Sequence, residues 1–179
     1  FLTIYIVDPK GQEIQDFEGL PHLRDKIAST PSEIYSLLVD AKAELDGRRA
    51  TKKKSHEKQV VVFIDEFSLV AGQNNANHAI VEEIARHGRG VGVHVLLTEP
   101  VAQAGHFGAD VSQGLGLKII GKLSRLREGG DFAGLNDPAL LHLYPSGQLM
   151  VFLGTPAGIP TTGFWPDVAG ITKATAAKW

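Results

Sequence analysis

A chain of 179 residues, 43% hydrophobic and 21% charged, is long enough for one globular domain with a substantial core. Eighteen Lys and Arg against twenty Asp and Glu give a net charge of −2, which excludes a generally basic nucleic-acid binder but not a local basic patch. The absence of cysteine excludes disulfides and thiolate metal sites and suits a reducing compartment, while no apolar run reaches the ~20 residues of a membrane span and no signal peptide is visible.

The chain opens inside an apolar run, Phe1–Val7, and reads as a piece of something larger. Leu2–Val7 is the first predicted strand, followed by Asp8-Pro9-Lys10-Gly11, which has the composition of a turn. Thr30 is placed to cap a helix with Pro31 at its first position, and Ile34, Leu37, Leu38, Ala41 and Leu45 supply its apolar stripe. The charged stretch Gly47–Lys58 reads as a frayed helix end or a loop. Val60–Ile64 is the second strand, Ala71–Asn77 a loop, and Asn77–His87 a second amphipathic helix with Gly88 at its C-terminal cap. Val91–Leu97 is the third strand, Ala102–Gly116 a loop, Leu117–Leu123 a weaker strand and Gln148–Leu153 another. Residues 154–179, with many Gly, Pro and Thr, read as a surface tail. The first three strands are nearly continuous apolar runs, as strands of a buried parallel sheet are. Strands alternating with helices predict an α/β fold, a mainly parallel central sheet flanked by helices, in one domain spanning 1–179.

The strongest chemical signal is Val60-Val61-Val62-Phe63-Ile64-Asp65-Glu66. It sets two carboxylates at the C-terminal end of a buried strand, the edge at which open α/β sheets bind ligands. In a nucleotide hydrolase the first acid holds Mg²⁺, usually through water, and the second polarises the attacking water. The alternative is a pair of acids opening the next helix, where its dipole favours negative charge. The stretch Arg86-His87-Gly88-Arg89-Gly90-Val91-Gly92-Val93-His94 offers arginines able to face a phosphate, or simply a basic helix end. His22, His94 and His106 have no metal spacing with one another and read as structural or surface residues.

Order and spacing together resemble the motor domain of the FtsK/SpoIIIE family of DNA translocases, in the FtsK–HerA group of P-loop ATPases. The resemblance rests on Ile6-Val7-Asp8-Pro9-Lys10-Gly11 with Glu18-Gly19-Leu20-Pro21-His22-Leu23, on Ala43-Glu44-Leu45-Asp46-Gly47-Arg48-Arg49, on Phe63-Ile64-Asp65-Glu66 as Walker B, and on Gly88–Leu97. It spans roughly Ile4 to Leu97 and fades through Gly147-Gln148-Leu149-Met150. The implied fold is RecA-like. Two features depart from the family pattern. The Walker A loop that should precede the first strand is absent, so the N-terminal P-loop unit is missing, and truncation is the reading preferred over loss. Where the family has Ala-Thr-Gln after the third strand, this chain has Thr98-Glu99-Pro100, and Pro100 cannot act as the family's γ-phosphate sensor.

The resemblance implies ATP and Mg²⁺ as cofactors, with Asp8, Lys10, Asp65 and Glu99 around the nucleotide and Asp65 holding the metal. Glu66 is then the catalytic base or water-positioner. An arginine from a neighbouring subunit would stabilise the transition state, worth about 10³–10⁵ in rate, and the candidates are Arg48, Arg49, Arg86 and Arg89. That requirement fits a homo-oligomeric, hexameric ring closing around double-stranded DNA. Contacts to the DNA backbone are expected from Gln73, Asn74, Asn75 and Asn77 and from Lys52, Lys53 and Lys54, the three lysines being alternatively a solvated basic stretch. The expected activity is ATP-driven translocation of duplex DNA in chromosome segregation or conjugative transfer. The alternatives are a type VII secretion-like ATPase module moving protein, or a degenerate assembly module. The expected location is the cytoplasm, at the membrane's cytoplasmic face if the parent protein is anchored.

Overall fold

The computed structural model describes residues 2–51, 58–100, 104–121, 148–153 and 161–164. They fall into two compact units, one ending at Pro100 and the other spanning Val101–Gly170.

In the first unit three parallel strands, β1 (Leu2–Val7), β2 (Gln59–Ile64) and β3 (Val93–Leu97), lie side by side in chain order. Val7 pairs with Ile64 and Ile64 with Leu97, so the three C-terminal ends are level. Helix α1 (Pro31–Ala50) connects β1 to β2, and α2 (Phe67–Gln73) with α3 (Asn75–His87) connects β2 to β3. Right-handed crossovers taken in the same direction put these helices on one face of the sheet, and α1 packs on α3 accordingly. Val60, Val62 and Ile64 point into that interface and are buried, as are Ile34, Leu37, Leu38, Ala41 and Leu45 of α1 and Ile80, Val81 and Ile84 of α3. The β2 side chains of the opposite face, Val61 and Phe63, are only half-buried, so the continuous apolar run does not translate into equal burial on both sides. The outer edge of β1 is covered by residues 22–28, whose backbone bonds run from Ile4 N to His22 O (2.8 Å) through Asp8 N to Ala28 O (2.9 Å).

Helix α1 begins as its sequence dictates. The Thr30 side chain accepts from Glu33 N, and Glu33 Oε2 accepts from Thr30 N at 3.0 Å and Ser29 N at 3.2 Å, a reciprocal capping box. The helix continues through Gly47 to Ala50, so the start of the charged stretch is helical; Lys52, Lys53 and Lys54 lie outside the described residues.

Two expectations are corrected in this unit. Ala71–Asn77 is not a loop: α2 ends at Gln73 and α3 starts at Asn75, leaving Asn74 as an extended junction whose Oδ1 caps α3 at Ala76 N (2.9 Å). The third strand starts two residues later than predicted, because Arg89–Val91 forms a 3-10 turn. Gly88 is the C-terminal cap of α3 as expected, with φ −70 and so not in a left-handed conformation. Its lack of a side chain is required for another reason: a Cβ there would lie 2.0 Å from Val93 O and 2.7 Å from Ile84 O.

The second unit holds an antiparallel sheet, β4 (Leu117–Ile120), β5 (Gln148–Leu153) and β6 (Thr161–Phe164), in that order. β6 arises from the stretch read as a surface tail. Helix α4 (Ala104–Gly114) occupies the glycine-rich stretch read as a loop. Gly108, with φ 64, breaks it into two pieces, and Phe107 and Val111, one on either side of the break, are its buried anchors. Among the described residues no helix is long and apolar enough to cross a membrane.

Candidate nucleotide-hydrolysis site

The level C-terminal ends of β1, β2 and β3 bring together the residues that follow each strand: Asp8 and Lys10, Asp65 and Glu66, Thr98 and Glu99. Backbone bonds tie them across the edge, from Asp65 N to Val7 O (3.0 Å), from Thr98 N to Ile64 O (3.0 Å) and from Phe67 N to Thr98 O (3.1 Å). Thr98 adds a side-chain link that motif reading missed. Its hydroxyl donates to Asp65 Oδ1 and accepts from Glu66 N at 3.2 Å. The register Ile64↔Leu97 is the signal that could have found it, since it places the residues after each strand opposite one another.

Asp65 Oδ1 is thus engaged, while Oδ2 is buried and has no hydrogen-bond partner. A buried, unpaired carboxylate oxygen is costly unless something else satisfies it. Among the described residues no cluster of three His, Asp or Glu side chains forms a protein cage for a metal. Mg²⁺ does not need one, because it keeps several waters and takes one or two carboxylates plus substrate phosphates. Asp65 with the Thr98 hydroxyl beside it therefore fits a Mg²⁺–nucleotide held largely through water.

Glu66 has φ 44, the sole positive φ at a non-glycine residue among those described. Its side chain does not cap α2. The acids do stand at a helix start, with Glu66 immediately before α2, but the side-chain bonds there come from Glu99, whose carboxylate accepts from Ser68 N and from Ser68 Oγ (3.0 Å). Glu99, expected beside the nucleotide, is committed to the start of α2. Glu66 instead forms an ion pair through Oε1 with Lys10 Nζ, whose ammonium is held above its ordinary pKa chiefly by that bond.

Asp8 is fully buried. Its Oδ1 accepts from Lys10 N (3.1 Å) and Gly11 N (2.9 Å), and its Oδ2 from Glu13 N (3.1 Å), Ile14 N (3.2 Å) and Gln15 Nε2 (3.4 Å). Burial pushes its pKa up, but these bonds outweigh burial and hold the carboxyl below its ordinary value. Asp8 builds the loop that carries Lys10, with both oxygens turned inward.

The four candidate arginines lie at the other end of the strands. Arg48 is the most buried of the three that form ion pairs, its side chain 13% exposed. Its Nε donates to Glu44 (2.7 Å), and its Nη1 to Lys58 O (2.7 Å), Val91 O (3.0 Å) and Gly92 O (3.2 Å). It fastens the end of α1 to the entries of β2 and β3, which leaves it poorly suited to act as a finger. Arg49 pairs with Glu83 and Arg86 with Glu82 on the surface, and Arg89 is exposed on the turn before β3. Of the residues expected at DNA, Asn77 is buried at 1% exposure and donates to Val70 O (3.1 Å), so it presents nothing to a phosphate. Gln73, Asn74 and Asn75 are exposed. His94 Nε2 is within 2.8 Å of Gln59 Oε1, a structural contact.

No protein-family model and no curated protein sequence matches the chain. Solved structures do. The pCW3 conjugation coupling protein TcpA, in a monomer form with ATPγS, superposes with a TM-score of 0.75 and 15% identity over 99% of this chain and 56% of that one. The cytoplasmic domain of the Thermomonospora curvata type VII secretion ATPase EccC gives 0.68 and 16% over 96% and 22%. EccC ATPases 2 and 3 from the same organism, in complex with a signal sequence peptide, give 0.69 and 20% over 99% and 36%. The chain thus spans from 22% to 56% of the length of these proteins. At such identities the likeness establishes the fold. It is the α/β fold of the RecA-like P-loop ATPases, with a parallel three-stranded sheet and flanking helices.

Proposed function

We propose that the chain is the Walker B half of an ATP-hydrolysing translocase module of the FtsK–HerA group. The observation that carries this reading is the pair Asp65–Glu66 at the C-terminal end of β2, one acid with a buried unpaired oxygen and the other turned aside by a left-handed backbone. In this reading Asp65 holds a Mg²⁺ through water, and the ion supplies charge neutralisation at the transferring phosphoryl group. Glu66 orients the attacking water and takes its proton. Thr98 fixes the Asp65 carboxylate and the Glu66 backbone together, so the two acids move as a unit.

No candidate arginine serves this site from within the chain. Six residues of β2 span about 20 Å, and the arginines stand at the far end of them. In this reading the arginine comes from a second copy in a ring, and Arg49, Arg86 and Arg89 are the exposed candidates. Duplex DNA is the cargo proposed first, in keeping with the sequence resemblance, with the module working at the cytoplasmic face of the membrane. Protein cargo is the second reading, favoured by the likeness to an EccC structure that holds a signal sequence peptide.

The test uses the full-length protein that carries this chain. Glu66→Gln is expected to cut ATP turnover about 10²–10⁴-fold while leaving ATP binding intact. Unchanged turnover would remove Glu66 from catalysis, and a parent protein without turnover would leave an assembly module. Stimulation by linear duplex DNA that falls steeply with salt selects the first cargo, and stimulation by a signal peptide the second.

A further inference from the structure

We infer that Lys10 is a positioning residue for Glu66, acting on the carboxylate rather than on the nucleotide; the inference rests on the hydrolytic reading above. Three independent features converge on the contact. The register Val7↔Ile64 sets the loop after β1 beside the acids after β2. Asp8, fully buried, gathers the backbone N–H groups of Lys10, Gly11, Glu13 and Ile14, so the loop that presents Lys10 is fixed from inside rather than free to drift. On the other side, the left-handed backbone of Glu66 is an energetically disfavoured conformation for a residue with a side chain, and such conformations persist where the surroundings impose them. The two side chains meet as Lys10 Nζ on Glu66 Oε1, with Glu66 only 15% exposed.

The chemistry of the contact is asymmetric. Lys10 occupies Oε1, and Oε2 has no partner among the described residues. An ammonium on one oxygen restrains the orientation of the carboxylate. The remaining oxygen is then held toward one place, where a water can be oriented. An ammonium has three donors, so the contact with Glu66 and a contact with a phosphate are separated by measuring nucleotide binding apart from turnover. Lys10 also touches Glu13 at 3.4 Å, a looser contact with a more exposed partner. The resemblance placed Lys10 among the nucleotide-binding residues, and its position beside Glu66 reassigns it.

The experiment compares Lys10→Met, Lys10→Arg, Glu66→Gln and the double variant Lys10→Met/Glu66→Gln in the full-length protein. It reads steady-state ATP hydrolysis and, separately, equilibrium binding of a fluorescent ATP analogue. Lys10→Met is expected to lower kcat about 10- to 100-fold, the usual cost of losing a group that orients a catalytic one. Binding of the analogue should be unchanged, Lys10→Arg should recover most of the rate, and Lys10→Met should cost nothing further in the Glu66→Gln background. Loss of nucleotide binding by the same factor in both backgrounds would make Lys10 a phosphate ligand and overturn the inference. Full turnover in Lys10→Met beside an inactive Glu66→Gln would also overturn it, reducing the pair to a surface contact. Full turnover in Glu66→Gln would instead overturn the hydrolytic reading itself, and the role of Lys10 with it.

Discussion

Replacing Arg48 separates a structural arginine from a catalytic one. Its Nη1 group has two hydrogens for three carbonyls, those of Lys58, Val91 and Gly92, so the equivalent of two bonds is at stake. Gly92 O keeps a second donor, Val60 N at 2.9 Å, whereas Lys58 O and Val91 O lose a charged donor. Hydrogen bonds from a charged group contribute ~1.5–3 kcal/mol each. The bond to Glu44, which is 42% exposed, adds only ~0.3–0.5 kcal/mol. The contact with Lys58 O is exposed, so water replaces much of that bond, and Arg48→Ala is expected to destabilise by about 2–4 kcal/mol. Arg48→Lys should recover less than half, because an ammonium cannot hold Glu44 and the carbonyls with one planar fork. Denaturant titration followed by far-UV circular dichroism measures both. A change within ~0.5 kcal/mol for Arg48→Ala would refute the argument and return Arg48 to the candidate fingers. Arg49→Ala, Arg86→Ala and Arg89→Ala serve as comparators, each expected within ~0.5 kcal/mol of the parent.

Gly88→Ala forces a methyl into the 2.0 Å gap before Val93 O, and overpacking against backbone costs ~1–3 kcal/mol or more. Gly90→Ala, with nothing within 4 Å, should stay within ~0.5 kcal/mol, and equal midpoints for the two variants would contradict the packing account. Glu33 is held at a pKa of about 2, first by the hydrogen bond from Lys26 and then by the amides of Thr30 and Ser29. A depressed folded value means that its stabilisation is complete above the ordinary value of 4.5 and is lost as pH falls toward 2. The difference in denaturation midpoint between parent and Glu33→Gln should therefore shrink across that window, and a constant difference would show that the capping box does not titrate as described.

The legible parts of the sequence were those where one residue type has one local use. Thr30, Pro31 and Glu33 announce a helix start by chemistry that needs only four consecutive positions, and α1 begins there. The runs Leu2–Val7 and Gln148–Leu153 became strands with the bounds read from composition. Asp65 and Glu66 were found because a buried strand ending in acids is a compact signal. What failed depended on partners distant along the chain. Glycine-rich Ala102–Gly116 looked like a loop, yet Phe107 and Val111 found a core to fold a helix against. Asn77 looked like a phosphate contact because nothing local shows that Val70 O claims its amide. Asp8 looked like a ligand-facing acid, and its five donors come from a loop whose path no periodicity encodes. Arg48 was grouped with its neighbour Arg49, although only one of them has three carbonyls within reach.

The parallel alignment of β1, β2 and β3 has a consequence for symmetry. All three strands run the same way, so Asp65 and Glu66 stand at one pole of the sheet and the four candidate arginines at the other. A two-fold axis can bring the two poles together only by laying two copies side by side and antiparallel, with one patch that spans the ~20 Å between them. End-to-end completion, acid pole on arginine pole, is instead a heterologous contact, in which a different patch on each molecule takes part. Such contacts repeat. They end only when the rotation per step closes on itself, and otherwise they grow into a filament.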